Sequence, residues 1–310
     1  MKPIQNSKRT GWGSMRCLAV FLLAVFALAG CVQDEVVTAT EEGKEVKVAV
    51  SLGTLPAEGT GTRATAPHTP EVENLIHDIW VLQFNESGIL LDTPEKYFPR
   101  NDESGLYVED FRVTLIAAQN STVCLVVNTD DPSIVWPNNL PAFQQMLLDI
   151  KVSNDLSERD RMPMCGYWKG NVTDVNQVLT VMLCRMMTRV NLVLNNETGA
   201  ALTDLSVTLD NVPTQAYVYP SINQTALPDG AYSEEIWTDE SLSIAAGGSQ
   251  QLYYYMAPNI CSSETNATKV TVTSGDKTWT VTLGTDAPGT TDRDYALYAN
   301  NYYTFTLNLK

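Results

Sequence analysis

Residues 45–71 read EVKVAVSLGTLPAEGTGTRATAPHTPE. The first eight alternate. Val46, Val48, Val50 and Leu52 fall on one face, and Lys47, Ala49 and Ser51 fall on the other. A period of two is the mark of a strand with one face buried. From Leu55 onward the character changes. Residues 55–71 hold no apolar run, are rich in Gly and Thr, carry Pro67 and Pro70, and contain one arginine, Arg63, followed by Ala64. A second strand candidate, LIHDIWVLQF, follows at 75–84. A long soft loop with a lone arginine thus separates the first two strands.

Working outward, the chain keeps the period of two. LIHDIWVLQF turns through NESG, with Gly88, into ILL, the signature of a hairpin. FRVTLIAA and STVCLVVNT read as another strand pair around QN. PAFQQMLLDIKV is the one convincing helix: Pro141 suits its first turn, and Phe143, Met146, Leu147 and Ile150 share a face. VLTVMLCRMMTRVNLVLN reads as two strands joined end to end. Beyond it the pattern is all β, with the clearest hairpin at KVTVTSGDKTWTVTL, whose tip is Ser274-Gly275-Asp276. In the terminal YYTFTLNLK, Tyr303, Phe305, Leu307 and Leu309 face one way. Two consecutive sets of short strands imply an all-β chain of two β-sandwiches in series, with one short helix in the first. The boundary falls near Arg185, giving an N-terminal sandwich over 45–184, including its first strand and the loop 53–71, and a C-terminal one over 185–310.

The first thirty residues stand apart. Lys2, Lys8, Arg9 and Arg16 precede an apolar stretch, CLAVFLLAVFALAG, too short to span a membrane stably. It closes on LAGC, Leu28 to Cys31, which resembles a bacterial lipobox. That resemblance implies a lipoprotein signal peptide over 1–30, cleavage before Cys31, and acyl chains, palmitate among them, on Cys31. Three chains at about 0.8 kcal/mol per buried methylene anchor a protein firmly. Asp34 and Glu35 just beyond resemble the surface-export signal of Bacteroidetes lipoproteins, which implies an outer-membrane, surface-exposed location. Residues 31–44 then read as a tether.

Composition excludes several functions. The 310 residues carry a formal charge of -16 with 44% hydrophobic content, enough for packed cores. The mature part has no basic cluster, so nucleic acid is not a partner. The two histidines, His68 in the loop and His77 in the second strand, sit in no nucleophile motif. Neither P-loop nor GxGxxG occurs. Cys124, Cys165, Cys184 and Cys261 have no CxxC spacing, and three full pairings stay open. NTDDPS at 128–133 lacks the spacing of a calcium loop. Acidic neighbours such as Glu234-Glu235 and Asp239-Glu240 read as solvated faces. No catalytic residue, metal ligand or cofactor is expected, and the chain reads as a non-enzyme.

The lipobox, the acidic export signal and the strand with its Arg-bearing loop come first. IHDIWVLQFNESGIL, MPMCGYW, CRMMTRVNLVL, YYYMAPN and NNYYTFTLNL follow in order. Taken together, the chain resembles the fimbrillin family of Bacteroidetes, the subunits of type V pili. The resemblance implies two transthyretin-like β-sandwich domains and export as a lipoprotein. It implies an Arg-specific protease that cuts between Arg63 and Ala64. It also implies release of the strand carrying Val46, Val48, Val50 and Leu52, and entry of another fimbrillin subunit's strand into the vacant groove. The family's stalk subunits carry a further C-terminal donor segment. Here NNYYTFTLNLK resembles the last domain strand, so a tip subunit, which accepts a strand and donates none, is the expectation. Surface glycan binding, through Trp80, Trp136, Trp168, Trp237 or Trp279, is the alternative.

Overall fold

The computed structural model describes residues 42–56, 58–60, 73–98, 111–129, 133–153, 161–173, 176–220, 227, 232–233, 237–286 and 293–310. The regular structure of the described residues is nearly all β. In order come β1 (Glu45–Thr54), β2 (Glu58–Thr60), β3 (Ile79–Phe84), β4 (Glu95–Tyr97), β5 (Arg112–Ile116), β6 (Ala118–Val127), helix α1 (Leu140–Gln144), β7 (Leu147–Asp149), β8 (Met164–Val172) and β9 (Val178–Arg185). The second half holds β10 (Thr188–Asn196), β11 (Leu202–Asp210), β12 (Val212–Pro213), β13 (Gln215–Tyr217), β14 (Tyr232–Ser233), β15 (Trp237–Ile244) and β16 (Ser249–Met256). A 3-10 turn (Glu264–Asn266) precedes β17 (Lys269–Ser274), β18 (Lys277–Thr282), β19 (Thr285–Asp286), β20 (Arg293–Asp294) and β21 (Asn301–Leu309).

Seven strands of the first half follow the order β4-β3-β6-β8-β9-β1-β5. Among the described residues only two pairs, Met164 with Arg185 and Cys165 with Cys184, join β8 to β9. On either side of that narrow seam the two groups of strands face each other. Val46, Val48 and Val113 from β1 and β5 pack with Ile79, Val123, Leu125 and Met164 from β3, β6 and β8 in one core. That is a sandwich: alternating side chains from two layers meet, and their polar neighbours point out. The second half repeats the architecture. Sheet β16-β10-β21-β2 packs on sheet β15-β11-β17-β18 through Val190, Leu192, Leu194, Val207, Leu209, Val270 and Val272. Tyr303 and Leu309 are buried in this core, and Phe305 and Leu307 pack against it, as the alternation of the last strand requires.

A third cluster joins the outer face of β3, β6 and β8 to α1, β13 and β16, through Phe84, Cys124, Val126, Phe143, Cys165, Val218 and Tyr255. It explains why Cys124 and Cys165 are apolar fill. Both are buried free thiols, and burial pushes both well above the usual thiol range.

Four local expectations are corrected. The helix is one turn, not three. Asn139 caps it, its Oδ1 accepting from Ala142 N at 2.9 Å, and Pro141 sits in the first turn. Past Gln145, Leu147 and Leu148 leave the helical course to pair with Tyr217 and Ala216 of β13, because a sheet partner satisfies their backbone. FRVTLIAA and STVCLVVN do not pair with each other: β5 pairs with β1, whereas β6 lies between β3 and β8. The segment 55–71 is not loop throughout, since Glu58–Thr60 forms β2 against β21. His77 precedes β3 instead of lying in it, its backbone N donating to Asn128 Oδ1 at 2.8 Å. The best hairpin reads true: β17 and β18 pair from Ser274 with Lys277 outward, and Gly275 takes the left-handed φ of 57° that the tight turn needs.

Candidate functional site

The first strand lies inside its sheet. The first half of β1 pairs antiparallel with β5, Glu45 opposite Ile116 through Ala49 opposite Arg112. Its second half pairs parallel with β9, Ala49 opposite Val178 through Thr54 opposite Leu183. Two further backbone bonds complete the handover, Val50 N to Phe111 O at 2.8 Å and Ala49 N to Gln177 O at 3.1 Å. Val46, Val48 and Val50 are 5%, 1% and 6% exposed, and Leu52 is half-buried against the same core. The outward Lys47 and Ser51 are exposed. At about 1.5–3 kcal/mol for each fully buried apolar side chain, this strand holds much of the first core together. Among the described residues β5 has no sheet neighbour other than β1. Removal of β1 therefore uncovers the edges of β5 and β9 and the apolar floor between them.

Past Thr54 the chain crosses from the first sandwich to the second, and a polar cluster holds the crossing. Leu55 N donates to Leu183 O at 2.8 Å. Arg185, at the end of β9 and only 4% exposed, donates from Nη1 to Leu55 O at 3.1 Å and to Asn300 Oδ1 at 2.8 Å. Its Nη2 donates to Asn74 Oδ1. Asn300 Nδ2 donates to Pro56 O at 3.0 Å. β2 then runs parallel to β21, Glu58 to Thr60 opposite Asn301 to Tyr303.

A second polar cluster forms around Glu73. Glu73 is 1% exposed and accepts from Arg189 Nη1 at 2.6 Å, from the Tyr255 hydroxyl at 3.0 Å and from the Tyr302 hydroxyl. The Arg189 guanidinium lies 3.6 Å from the Tyr302 ring centroid. Burial opposes the Arg189 charge, but Glu73 beside it outweighs that and raises its pKa. Burial, with Glu73 adding, pushes the Tyr302 phenol up to about 12. A carboxylate sealed in this way needs every one of these donors.

Of the residues that sequence reading singled out, Val46, Val48, Val50 and Leu52 come together as one side of a core. Cys31, Arg63 and Ala64 lie outside the described residues. Sequence reading missed Glu73, Arg185, Asn300 and Tyr302. The signal available for Arg185 was its place as a lone charge in the apolar run VMLCRMM. Four of the tryptophans are packing residues: Trp80 and Trp136 meet edge to face at 5.6 Å beside the third cluster, Trp168 packs on the first core and Trp279 on the second; the side chain of Trp237 lies outside the described residues. Among the described residues no group of three or more His, Cys, Asp or Glu is placed to hold a metal ion. No described helix is long and apolar enough to cross a membrane.

The fold is similar to that of several Bacteroidetes fimbrial and cell-adhesion proteins. The tip fimbrial protein Mfa3 of Porphyromonas gingivalis, with a C-terminal truncation, is 17% identical with a TM-score of 0.60, covering 86% of this chain and 96% of that one. A Parabacteroides distasonis protein, provisionally assigned to cell adhesion, is 16% identical with a TM-score of 0.63, covering 86% and 89%. A fimbrilin of Porphyromonas gingivalis is 11% identical with a TM-score of 0.52, covering 87% and 91%. The likeness to all three is one of fold. No family model matches the sequence, and neither does any curated protein.

Proposed function

We propose that this protein is a structural, adhesive subunit of a type V fimbrial filament, assembled by strand replacement after cleavage between Arg63 and Ala64. One observation carries the reading. β1 fills an interior place between β5 and β9, yet it is continuous with the rest of the chain only through the Arg63-bearing stretch between β2 and Glu73. A single cut there turns a structural strand into a separate ligand, and the groove it leaves offers main-chain partners on both sides and an apolar floor. Addition of an extended segment to such a groove is a recurring mode of protein association. The same cut removes Cys31, which as a lipidated residue holds the uncleaved protein on the outer membrane, facing outward. The partners are thus an Arg-specific protease, the membrane before cleavage, and other fimbrial subunits after it. The role needs no catalytic group.

The reading extends to the filament tip. The alternation of β21 would also suit a donated strand, but β21 lies between β10 and β2 and pairs with β10 over eight positions, Arg189 with Tyr302 to Asn196 with Leu309. It is committed to its own sandwich, and Mfa3, one of the similar folds, is described as a tip fimbrial protein. Glycan binding as a second reading draws no support from Trp80, Trp136, Trp168 and Trp279, each of which packs against a core. The test is limited digestion of the mature protein with an Arg-specific protease. Cleavage after Arg63 ahead of Arg112, Arg185 and Arg189, which lie in strands, is expected, with Arg63→Ala blocking it. First cleavage elsewhere, or an unchanged rate in Arg63→Ala, overturns the reading.

A further inference from the structure

We infer that Arg185 and Asn300 form a main-chain clamp that sets the register of the strand occupying the β1 groove, holding the carbonyls of two successive residues at its exit. The inference rests on the strand-replacement reading and concerns what the groove recognises. The occupant is an extended segment of another subunit, with apolar side chains at alternate positions and two carbonyls placed as those of Leu55 and Pro56 are.

The clamp is visible because its present occupant is seated in it. Arg185 Nη1 reaches Leu55 O at 3.1 Å, and Asn300 Nδ2 reaches Pro56 O at 3.0 Å. Among the described residues, the other side-chain bonds of the pair, and the bond of the Asn300 backbone N, go to residues outside the β1–β2 segment. Arg185 holds Asn300 Oδ1 and Asn74 Oδ1, and Asn300 N donates to Met187 O at 2.9 Å. The clamp is therefore built on the part of the chain that stays behind. With the path occupied, Arg185 is 4% and Asn300 8% exposed; departure of Leu55 and Pro56 leaves two donors facing the vacated path. A chain that brings carbonyls to both points remakes these two bonds in a water-poor place, and so binds more tightly than one that does not.

Carbonyls are common to every peptide, so the clamp does not read side chains. It reads position. The apolar floor accepts side chains at every second residue, so a slip of one residue turns the whole apolar set toward solvent. A slip of two restores the alternation but displaces the carbonyls by about 6.6 Å. The floor and the clamp together leave one register, in which the last apolar side chain lies three residues before the first clamped carbonyl, as Leu52 lies before Leu55.

The experiment uses the full mature chain cut after Arg63, and two synthetic peptides labelled at the N-terminus. One covers residues 41–56 and the other 41–54, both amidated. The protein variant is Asn300→Asp. Aspartate tolerates the left-handed backbone that Asn300 adopts, at φ 59°, and keeps an acceptor for Arg185. It replaces the donor facing Pro56 O with an acceptor. The longer peptide should bind the unsubstituted protein at least about ten-fold more tightly than the shorter one. Asn300→Asp should weaken the longer peptide about ten-fold and leave the shorter one unchanged. Equal weakening of both peptides, or of neither, overturns the clamp while leaving strand replacement standing. Failure of both peptides to bind any cut protein overturns strand replacement, and the clamp with it.

Discussion

Val48→Ala is the sharpest perturbation of the first strand. Val48 is 1% exposed, sits opposite Val113 of β5 and belongs to the first core. The change removes two methyl groups, worth about 1.6 kcal/mol of transfer free energy at about 0.8 each. The cavity lined by Val113 and its neighbours adds to this, for a total of about 2–3 kcal/mol. Lys47 is the control. It is one residue away in the same strand, exposed, and opposite Thr114. Lys47→Ala should change stability by less than about 0.5 kcal/mol. In the uncut chain, urea unfolding followed by intrinsic fluorescence should show the loss for Val48→Ala alone. In the chain cut after Arg63 the same free energy moves from folding to binding. The strand should leave about 30- to 150-fold more readily, because about 1.4 kcal/mol is a factor of ten. Equal effects of the two substitutions, or a Val48→Ala effect below about 0.5 kcal/mol in the uncut chain, would refute the packing on which the reasoning rests.

Three further outcomes are expected. Cys31→Ser should abolish incorporation of a labelled lipid precursor, and persistent labelling would refute the anchor. Deletion of residues 302–310 removes most of β21 from between β10 and β2 and should abolish the cooperative melting of the second sandwich; an intact transition would mean that β21 is dispensable to the fold. The raised pKa of Tyr302, about 12 against an ordinary 10.0, means that the folded state favours the protonated phenol. Its contribution is complete below pH 10 and is lost as pH rises from about 10 to about 12, so the melting temperature should fall across that window and less steeply in Tyr302→Phe.

What was legible in the sequence was periodic. Val46, Val48 and Val50 alternate and are buried. VLTVMLCR and TRVNLVLN read as consecutive strands because each alternates by itself. Gly275 marks its hairpin because a tight turn needs a residue at ease with positive φ. What was not legible depends on partners distant in the chain. Helix α1 stops after one turn because Leu147 and Leu148 meet β13, about seventy residues on, and the periodicity of an isolated segment carries no trace of that. FRVTLIAA and STVCLVVN look like a hairpin, but β1 takes the place beside β5. The polar clusters were the least visible. Arg185 and Asn300 are 115 residues apart in the chain, and Glu73 and Tyr302 are 229 apart. Single polar residues at such separations give no pattern until the fold joins them.

The central claim is that the place of β1 can be emptied and refilled. Its most direct test is native mass spectrometry of the cut protein, incubated with an excess of an isotopically heavy peptide of residues 41–60. The account predicts that the light strand is replaced by the heavy one, at one peptide per protein, and that the uncut chain takes up none. Retention of the light strand under conditions where the protein stays folded, or equal uptake by cut and uncut protein, would contradict it.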